Sequence, residues 1–293
     1  MLKIQNVHKT FNPGTVNQKH ALDDLCLHLK EGEFVTVIGG NGAGKSTMLN
    51  AVAGVWGVDE GKILIDNVDV TNLPEYKRAA YIGRVFQDPM MGTAATMQIE
   101  ENMALAARRG KKRTLRAGIT KEEREFYRDQ LKILDLGLED RMTSKVGLLS
   151  GGQRQALTLL MASLQKPKLL LLDEHTAALD PKTAAKVLDA TKRIVEKDNL
   201  TTMMITHNMR DAIAYGNRLI MMYNGHIVVD VSGEEKKNLT VEKLLSLFSQ
   251  NSGSDEVDDK LVLGYVNMHK APERGPYLFI ILHDLMHKYT FDN

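Results

Sequence analysis

The chain has 293 residues, 43% of them hydrophobic, with 38 basic against 37 acidic side chains and a formal net charge of +1. That length suits one large domain or two small ones. The balanced charge removes any electrostatic case for nucleic-acid binding as the main task, so no nucleic-acid partner is expected.

A single cysteine, Cys26, excludes a disulfide framework and fits a reducing cytosol. Met1-Leu2-Lys3-Ile4-Gln5 has no apolar core of the kind a secretory signal needs. No apolar run approaches the roughly 18 residues that span a bilayer. The longest, around Leu169–Leu172 and Tyr277–Leu282, are strand-sized. Work at a membrane would need another chain to bring this one there.

In chain order, Leu2–Val7 and Ala21–Leu29 alternate with period two and predict strands, with the turn signal Asn12-Pro13-Gly14 between them. Glu33–Ile38 predicts a strand, a glycine loop follows, and Lys45–Ala53 predicts a helix. Lys62–Ile65 predicts another short strand after Gly61. From about 90 to 148 Met, Ala, Leu, Glu and Arg dominate, which predicts a helical subdomain. Its basic stretch, Arg108–Arg116, is either a solvated loop between helices or a contact for lipid headgroups or a partner.

The α/β rhythm returns at Leu169–Leu172, a fully buried strand. A helix over Pro181–Glu196 and a strand over Thr201–Ile205 follow. Arg218–Met222 and His226–Val231 predict a hairpin around Asn224-Gly225, and Val241–Phe248 a short helix. Strands alternating with helices argue for a largely parallel sheet. Polar, acidic residues 249–259 predict a linker. Residues 260–293 form a C-terminal extension without a motif. His283 and His287 there stand at i and i+4, either a metal pair or a packed or exposed pair.

Gly39-Gly40-Asn41-Gly42-Ala43-Gly44-Lys45-Ser46-Thr47 matches the phosphate-loop pattern in its strand–loop–helix setting. Glycines let consecutive backbone N–H groups turn inward around phosphates, and the following helix adds its positive end. Lys45 is placed to reach the β- and γ-phosphates, Ser46 to ligate Mg²⁺, and Thr47 to contact the α-phosphate. Leu169–Leu172 then ends in Asp173-Glu174. At the carboxyl end of a strand, where open α/β sheets bind ligands, Asp173 suits Mg²⁺ and Glu174 suits polarising a water. His207, after the strand at Ile205, suits a γ-phosphate contact. Gln87 sits where the α/β core gives way to the helical part and suits Mg²⁺ coordination and sensing of the γ-phosphate.

A second glycine cluster, Leu149-Ser150-Gly151-Gly152-Gln153, lies about a hundred residues past the phosphate loop. Taken with Gly39–Thr47, Gln87, Leu169–Glu174, Ala178-Leu179-Asp180 and His207, it makes residues 1–248 resemble an ATP-binding-cassette (ABC) ATPase. The resemblance implies an α/β, P-loop NTPase fold with a RecA-like core, an antiparallel β-subdomain and a helical subdomain. It implies ATP and Mg²⁺ as cofactors. It also implies an aromatic that stacks on adenine: Phe11 holds the matching place, with a core role as the alternative. In the family Ser150, Gly151, Gly152 and Gln153 cap the γ-phosphate held by a second copy, so a head-to-tail homodimer sandwiches two ATP molecules. Asp180 lies at the same interface. One departure stands out: His175 follows Glu174 where the family usually has proline. Activity is expected to survive it, because no ligating residue is lost.

For such an ATPase two roles are open. One is the energising subunit of a transporter at the cytoplasmic face of the membrane. It would need separate permease subunits, received in a groove around Gln87 to Asn102, and indirectly an extracellular substrate-binding protein. Phe86–Arg116 resembles subunits that import small amino-acid-like solutes. The other is a soluble ABC ATPase without a permease, for example of the iron–sulfur assembly type.

Overall fold

The computed structural model describes residues 1–111 and 118–252. The tail at 260–293 with its two histidines, most of the expected linker, and positions 112–116 of the basic stretch lie outside the described residues.

Two sheets form the frame. β1 (Leu2–Phe11), β2 (Lys19–Leu29), β4 (Glu60–Ile65) and β5 (Val68–Asp69) make an antiparallel sheet in the order β2-β1-β4-β5. The second sheet runs β10-β9-β3-β8-β7-β6, from β3 (Phe34–Gly39), β6 (Ile82–Val85), β7 (Leu169–Asp173), β8 (Thr202–Ile205), β9 (Arg218–Tyr223) and β10 (His226–Ser232). Its first five strands in the chain are parallel, and β10 closes the edge antiparallel to β9. The hairpin turn is as expected: Asn224 and Gly225 both have positive φ, 46 and 83°.

The four leucines of β7 explain the layering. Leu170 and Leu172 pack with Met103, Tyr127, Leu131, Ala156 and Leu160 on one face of the sheet. Leu169 and Leu171 pack on the other with Met48 and Leu49 of α1 (Lys45–Ala53) and with Leu2, Ile4 and Leu27 of the antiparallel sheet. Side chains alternate along a strand, so only a strand covered on both faces reads as an unbroken apolar run. The helical part comprises α3 (Ile99–Ala107) and α4 (Lys121–Lys132), set against α5 (Gly151–Ser163).

Several boundaries differ from expectation. β1 runs on to Phe11 and β2 starts at Lys19, because their pairing continues past the apolar alternation, Phe11 facing Lys19. Glu33 precedes its strand, whose side of the turn is closed by the Lys30 carbonyl accepting from the Glu33 N–H at 3.3 Å. β5, β6, α2 (Glu75–Arg78), α7 (Met209–Ala214) and α8 (Gly233–Lys237) carry too few residues for a periodic signal. α6 (Pro181–Asp198) extends two residues past Glu196, ending on Asn199 at φ 47°. α9 (Val241–Ser252) continues through 249–252, the first four residues of the expected linker; polar residues extend a helix where they face water. Arg108 and Arg109 are not loosely solvated. Arg108 pairs with Glu123 at 3.0 Å, and half-buried Arg109 donates to the Ala162 carbonyl at 3.2 Å.

Candidate functional site

The parallel order β3-β8-β7-β6 sets four loops side by side at the carboxyl edge of the sheet. In that order they carry the phosphate loop, His207, Asp173-Glu174, and Gln87. Residues up to about 170 positions apart in sequence thus become neighbours, at the edge where open α/β sheets bind ligands.

The loop after β3 needs its glycines. Gly39, Gly42 and Gly44 take φ of 149, 77 and 102°. A Cβ on Gly39 would strike the Met222 carbonyl, and one on Gly44 the Ala21 carbonyl. Gly44 is the N-cap of α1 and offers no side chain to its first N–H groups, which leaves them for an anion. Lys45 is buried, and its ammonium donates to the carbonyls of Gly39 at 2.7 Å and Gly40 at 2.8 Å. Phe11, Asn41 to Thr47 and Glu174 line one cavity of about 310 Å³, joined by Lys19 and Ala21. Phe11 is therefore not a core residue. Its ring stands edge-on to Trp56 at 4.9 Å and beneath the Lys9 ammonium at 5.7 Å.

At the tip of β7 the two carboxylates part. Glu174 turns in the left-handed region, φ 43°, and enters the cavity. His207 Nδ1 lies 3.9 Å from its Oε2, an ion-pair distance and too long for a hydrogen bond. Asp173 lies on the other side, lining a second cavity of about 720 Å³ with Gln87. Burial pushes its pKa up, and Arg84, 3.5 Å away, opposes that. Arg84 is itself held by the Asn50 side-chain oxygen at 2.7 Å and lies 4.6 Å over the Phe86 ring.

Ser46, Asp173 and Gln87 offer hard oxygen donors, the chemistry of Mg²⁺ rather than of a soft metal. No three His, Cys, Asp or Glu side chains converge on a metal position among the described residues. Ser46 lines the nucleotide cavity whereas Asp173 and Gln87 line the second one, so the three do not share one cavity, and as donors they fit only an ion that arrives with a phosphate chain and keeps water ligands.

The second glycine cluster takes no part in this cavity. Ser150 caps α5 in a capping box: its hydroxyl accepts from the Gln153 N–H at 3.3 Å, and the Gln153 side chain accepts from the Ser150 N–H at 3.2 Å. Gly151 is exposed, with only Leu179 near its Cα hydrogens. Gly152 is buried, and a Cβ there would run into the Thr183 methyl, so its identity follows from the packing of α5 on α6. Asp180 caps α6 by accepting from the Thr183 N–H at 3.0 Å, a bond that holds its carboxyl below the usual range.

Lys19, Asn50, Arg84 and Trp56 were not among the expected site residues. Each stands beside its neighbours only through pairing across the fold, and none belongs to a spaced motif.

His175 is 2% exposed. Its Nε2 lies 3.1 Å from the Thr191 hydroxyl, which itself donates to the Val187 carbonyl at 2.9 Å. The hydroxyl must therefore accept, so the ring carries its proton on Nε2. Burial lowers the pKa from 6.5 to about 4. Between pH 6.5 and 4 the unfolded chain binds a proton that the folded chain refuses, so stability falls as pH drops through that window. From pH 7 to 5 the wild-type protein is expected to lose about 2 kcal/mol more than His175→Phe, at about 1.4 kcal/mol per pH unit. Urea unfolding at the two pH values measures it, and equal losses would refute it.

A phosphate loop, paired carboxylates and a histidine on adjacent parallel strands define a P-loop nucleoside triphosphatase. Residues 22–177 match the family described as ABC transporter. The chain is 45% identical over 249 residues to the tyrosine transport ATP-binding protein of Clostridioides difficile (strain R20291), covering 85% of this chain and 98% of that one. It is 32% identical over 240 residues to the phosphonates import ATP-binding protein PhnC of Lactococcus lactis subsp. cremoris, covering 80% and 94%. Among solved structures, a dimeric ATP-binding cassette in a post-hydrolysis state with ADP and Pi superposes with a TM-score of 0.67 at 33% identity, covering 79% of this chain and 98% of that one. The ADP conformation of another ABC transporter cassette gives 0.68 at 27% identity, covering 91% and 98%. The chain belongs to the ABC transporter family as an ATP-binding cassette, and it is an ATPase.

Proposed function

We propose that two copies of this chain sandwich two ATP molecules and energise a separate integral membrane permease, importing a small amino-acid-like solute. The observation that carries the sandwich is the position of Ser150–Gln153. These residues sit at a helix N-terminus outside their own subunit's nucleotide cavity, which suits them to the γ-phosphate held by another copy. The dimeric cassette among the structural relatives supports the same arrangement. Asp180, exposed at the head of α6, joins that interface.

Within each half-site, Lys45 and the loop N–H groups hold the β- and γ-phosphates, Thr47 the α-phosphate, and Phe11 the adenine. Ser46, Asp173 and Gln87 would hold Mg²⁺, which would supply positive charge against the phosphates. Glu174 orients and polarises the attacking water. His207 contacts the γ-phosphate.

No helix among the described residues is long and apolar enough to cross a membrane. The groove expected around Gln87 to Asn102 divides between two cavities: Gln87 and Met91 line the one of about 720 Å³ shared with Asp173, while Gly92, Ala94 and Asn102 line one of about 1250 Å³ between β6, α3, α4 and α5, whose Phe86, Leu105, Phe126 and Arg108 suit a short amphipathic permease helix at the cytoplasmic face. The relationship to a tyrosine transport ATP-binding protein supports an amino-acid-like solute delivered by an extracellular binding protein.

The test is capture from solubilised membranes of the source cell with ATP-loaded Glu174→Gln, then uptake of labelled tyrosine by the captured permease reconstituted with the wild-type chain. Recovery of a multi-spanning protein and ATP-dependent uptake is expected. Recovery of soluble partners alone would favour a permease-free ATPase, and uptake of other solutes only would overturn the substrate class.

A further inference from the structure

The turn that presents Glu174 is secured by a side chain outside the nucleotide cavity. Left-handed backbone is disfavoured for a residue with a Cβ, so the surroundings must hold Glu174 at φ 43°. Two ties are backbone bonds open to any residue: the Glu174 N–H donates to the Ile205 carbonyl at 3.1 Å, and its carbonyl accepts from the Ala177 N–H at 2.9 Å. The third depends on side-chain identity. His175, the next residue, is buried and donates from Nε2 to the Thr191 hydroxyl at 3.1 Å.

Thr191 stands in the third turn of α6, the helix that begins at Asp180 and packs against Gly152 of α5. The tie therefore joins the loop of the hydrolytic carboxylate to the helix that touches the second glycine cluster. Successive residues point three ways: Asp173 toward Arg84, Glu174 into the nucleotide cavity, and His175 into the protein. Holding the last fixes where the middle one aims.

We propose that His175, through its hydrogen bond to Thr191, is a positioning residue for Glu174, setting the direction of the carboxylate that orients the attacking water. The proposal rests on the reading of Glu174 as that group. Hydrolysis responds to small errors in such alignment, whereas nucleotide binding depends on the phosphate loop, which this tie does not touch.

Thr191→Val keeps the shape and removes the acceptor. Val187 still accepts from the backbone N–H of residue 191, so the helix persists. Steady-state hydrolysis is expected to show kcat down about tenfold with KM and nucleotide Kd unchanged, a loss of the size of one hydrogen bond. Thr191→Ser should restore kcat. His175→Phe should lose a similar factor, and the double variant no more than either single, because both remove one bond. Unchanged kcat in Thr191→Val, a matching loss of ATP affinity, or additive losses in the double variant would each overturn the proposal. Glu174→Gln separates the two readings. If it still hydrolyses ATP, the catalytic assignment fails; if it is inactive while Thr191→Val is silent, only the positioning role fails.

Discussion

Glu174→Gln is expected to bind ATP with near wild-type affinity, to lose hydrolysis by about 10² to 10⁴-fold, and to accumulate as a dimer when ATP is added. The substitution keeps the size of the side chain and its place in the cavity with Lys45 and Ser46. What it removes is the negative charge that orients and polarises water. Binding survives because the phosphate contacts come from the loop after β3 and the head of α1. Dimerisation should rise because ATP held between two copies is no longer consumed.

In the wild type the same dimer would be transient. Size-exclusion chromatography with light scattering, with and without ATP, reads the association, and release of phosphate reads turnover. A variant that stays monomeric at saturating ATP, with its permease present, would refute the sandwich. One that still turns over would move the catalytic role to another group, with His207 the nearest candidate at 3.9 Å.

The parts of this site that the sequence discloses are those that local backbone geometry dictates. The phosphate loop is legible because its glycines answer local demands, positive φ at Gly42 and Gly44 and collisions at Gly39 and Gly44, that no other residue meets. β7 is legible because burial on both faces removes every polar residue until Asp173. β6 is not, since Ile82-Gly83-Arg84-Val85 has neither length nor alternation, and its place at the sheet edge comes from pairing with β7. Arg84 shares that fate. Its partners Asn50 and Asp173 are 34 and 89 residues away, and nothing along the chain marks the three as neighbours. Gly152 answers two demands at once: its motif marks its backbone N–H for a phosphate, and its missing side chain is required by the Thr183 methyl against it, which only the fold brings there. His175 is conspicuous in the sequence as an odd residue at a known position, but its partner on α6, sixteen residues on, emerges only in the fold.

Lys45→Ala is expected to weaken ATP binding by about 10²-fold, near 3 kcal/mol, the scale of charge-assisted hydrogen bonds to phosphate. The loss should be selective. Adenosine, which has no phosphates, should bind as to the wild type through the surface beside Phe11, whereas ADP and ATP should both suffer. Titration with fluorescent nucleotide analogues and with adenosine separates these cases. A uniform loss across all three would mean that the loop had collapsed rather than lost a cation. That outcome has its own structural basis. The Lys45 ammonium also donates to the carbonyls of Gly39 and Gly40, so alanine removes two internal bonds from a loop of high-φ glycines. Carbonyls left without donors in a buried place cost about 1–3 kcal/mol each. The nucleotide-free variant is therefore expected to melt below the wild type as well, and Lys45→Arg should not rescue it. A guanidinium carries the charge, but its planar fork cannot enter the slot that leaves Lys45 only 8% exposed and still reach both carbonyls. If arginine restored both melting temperature and ATP affinity, charge alone would suffice and the fit of the ammonium within the loop would have no part in binding.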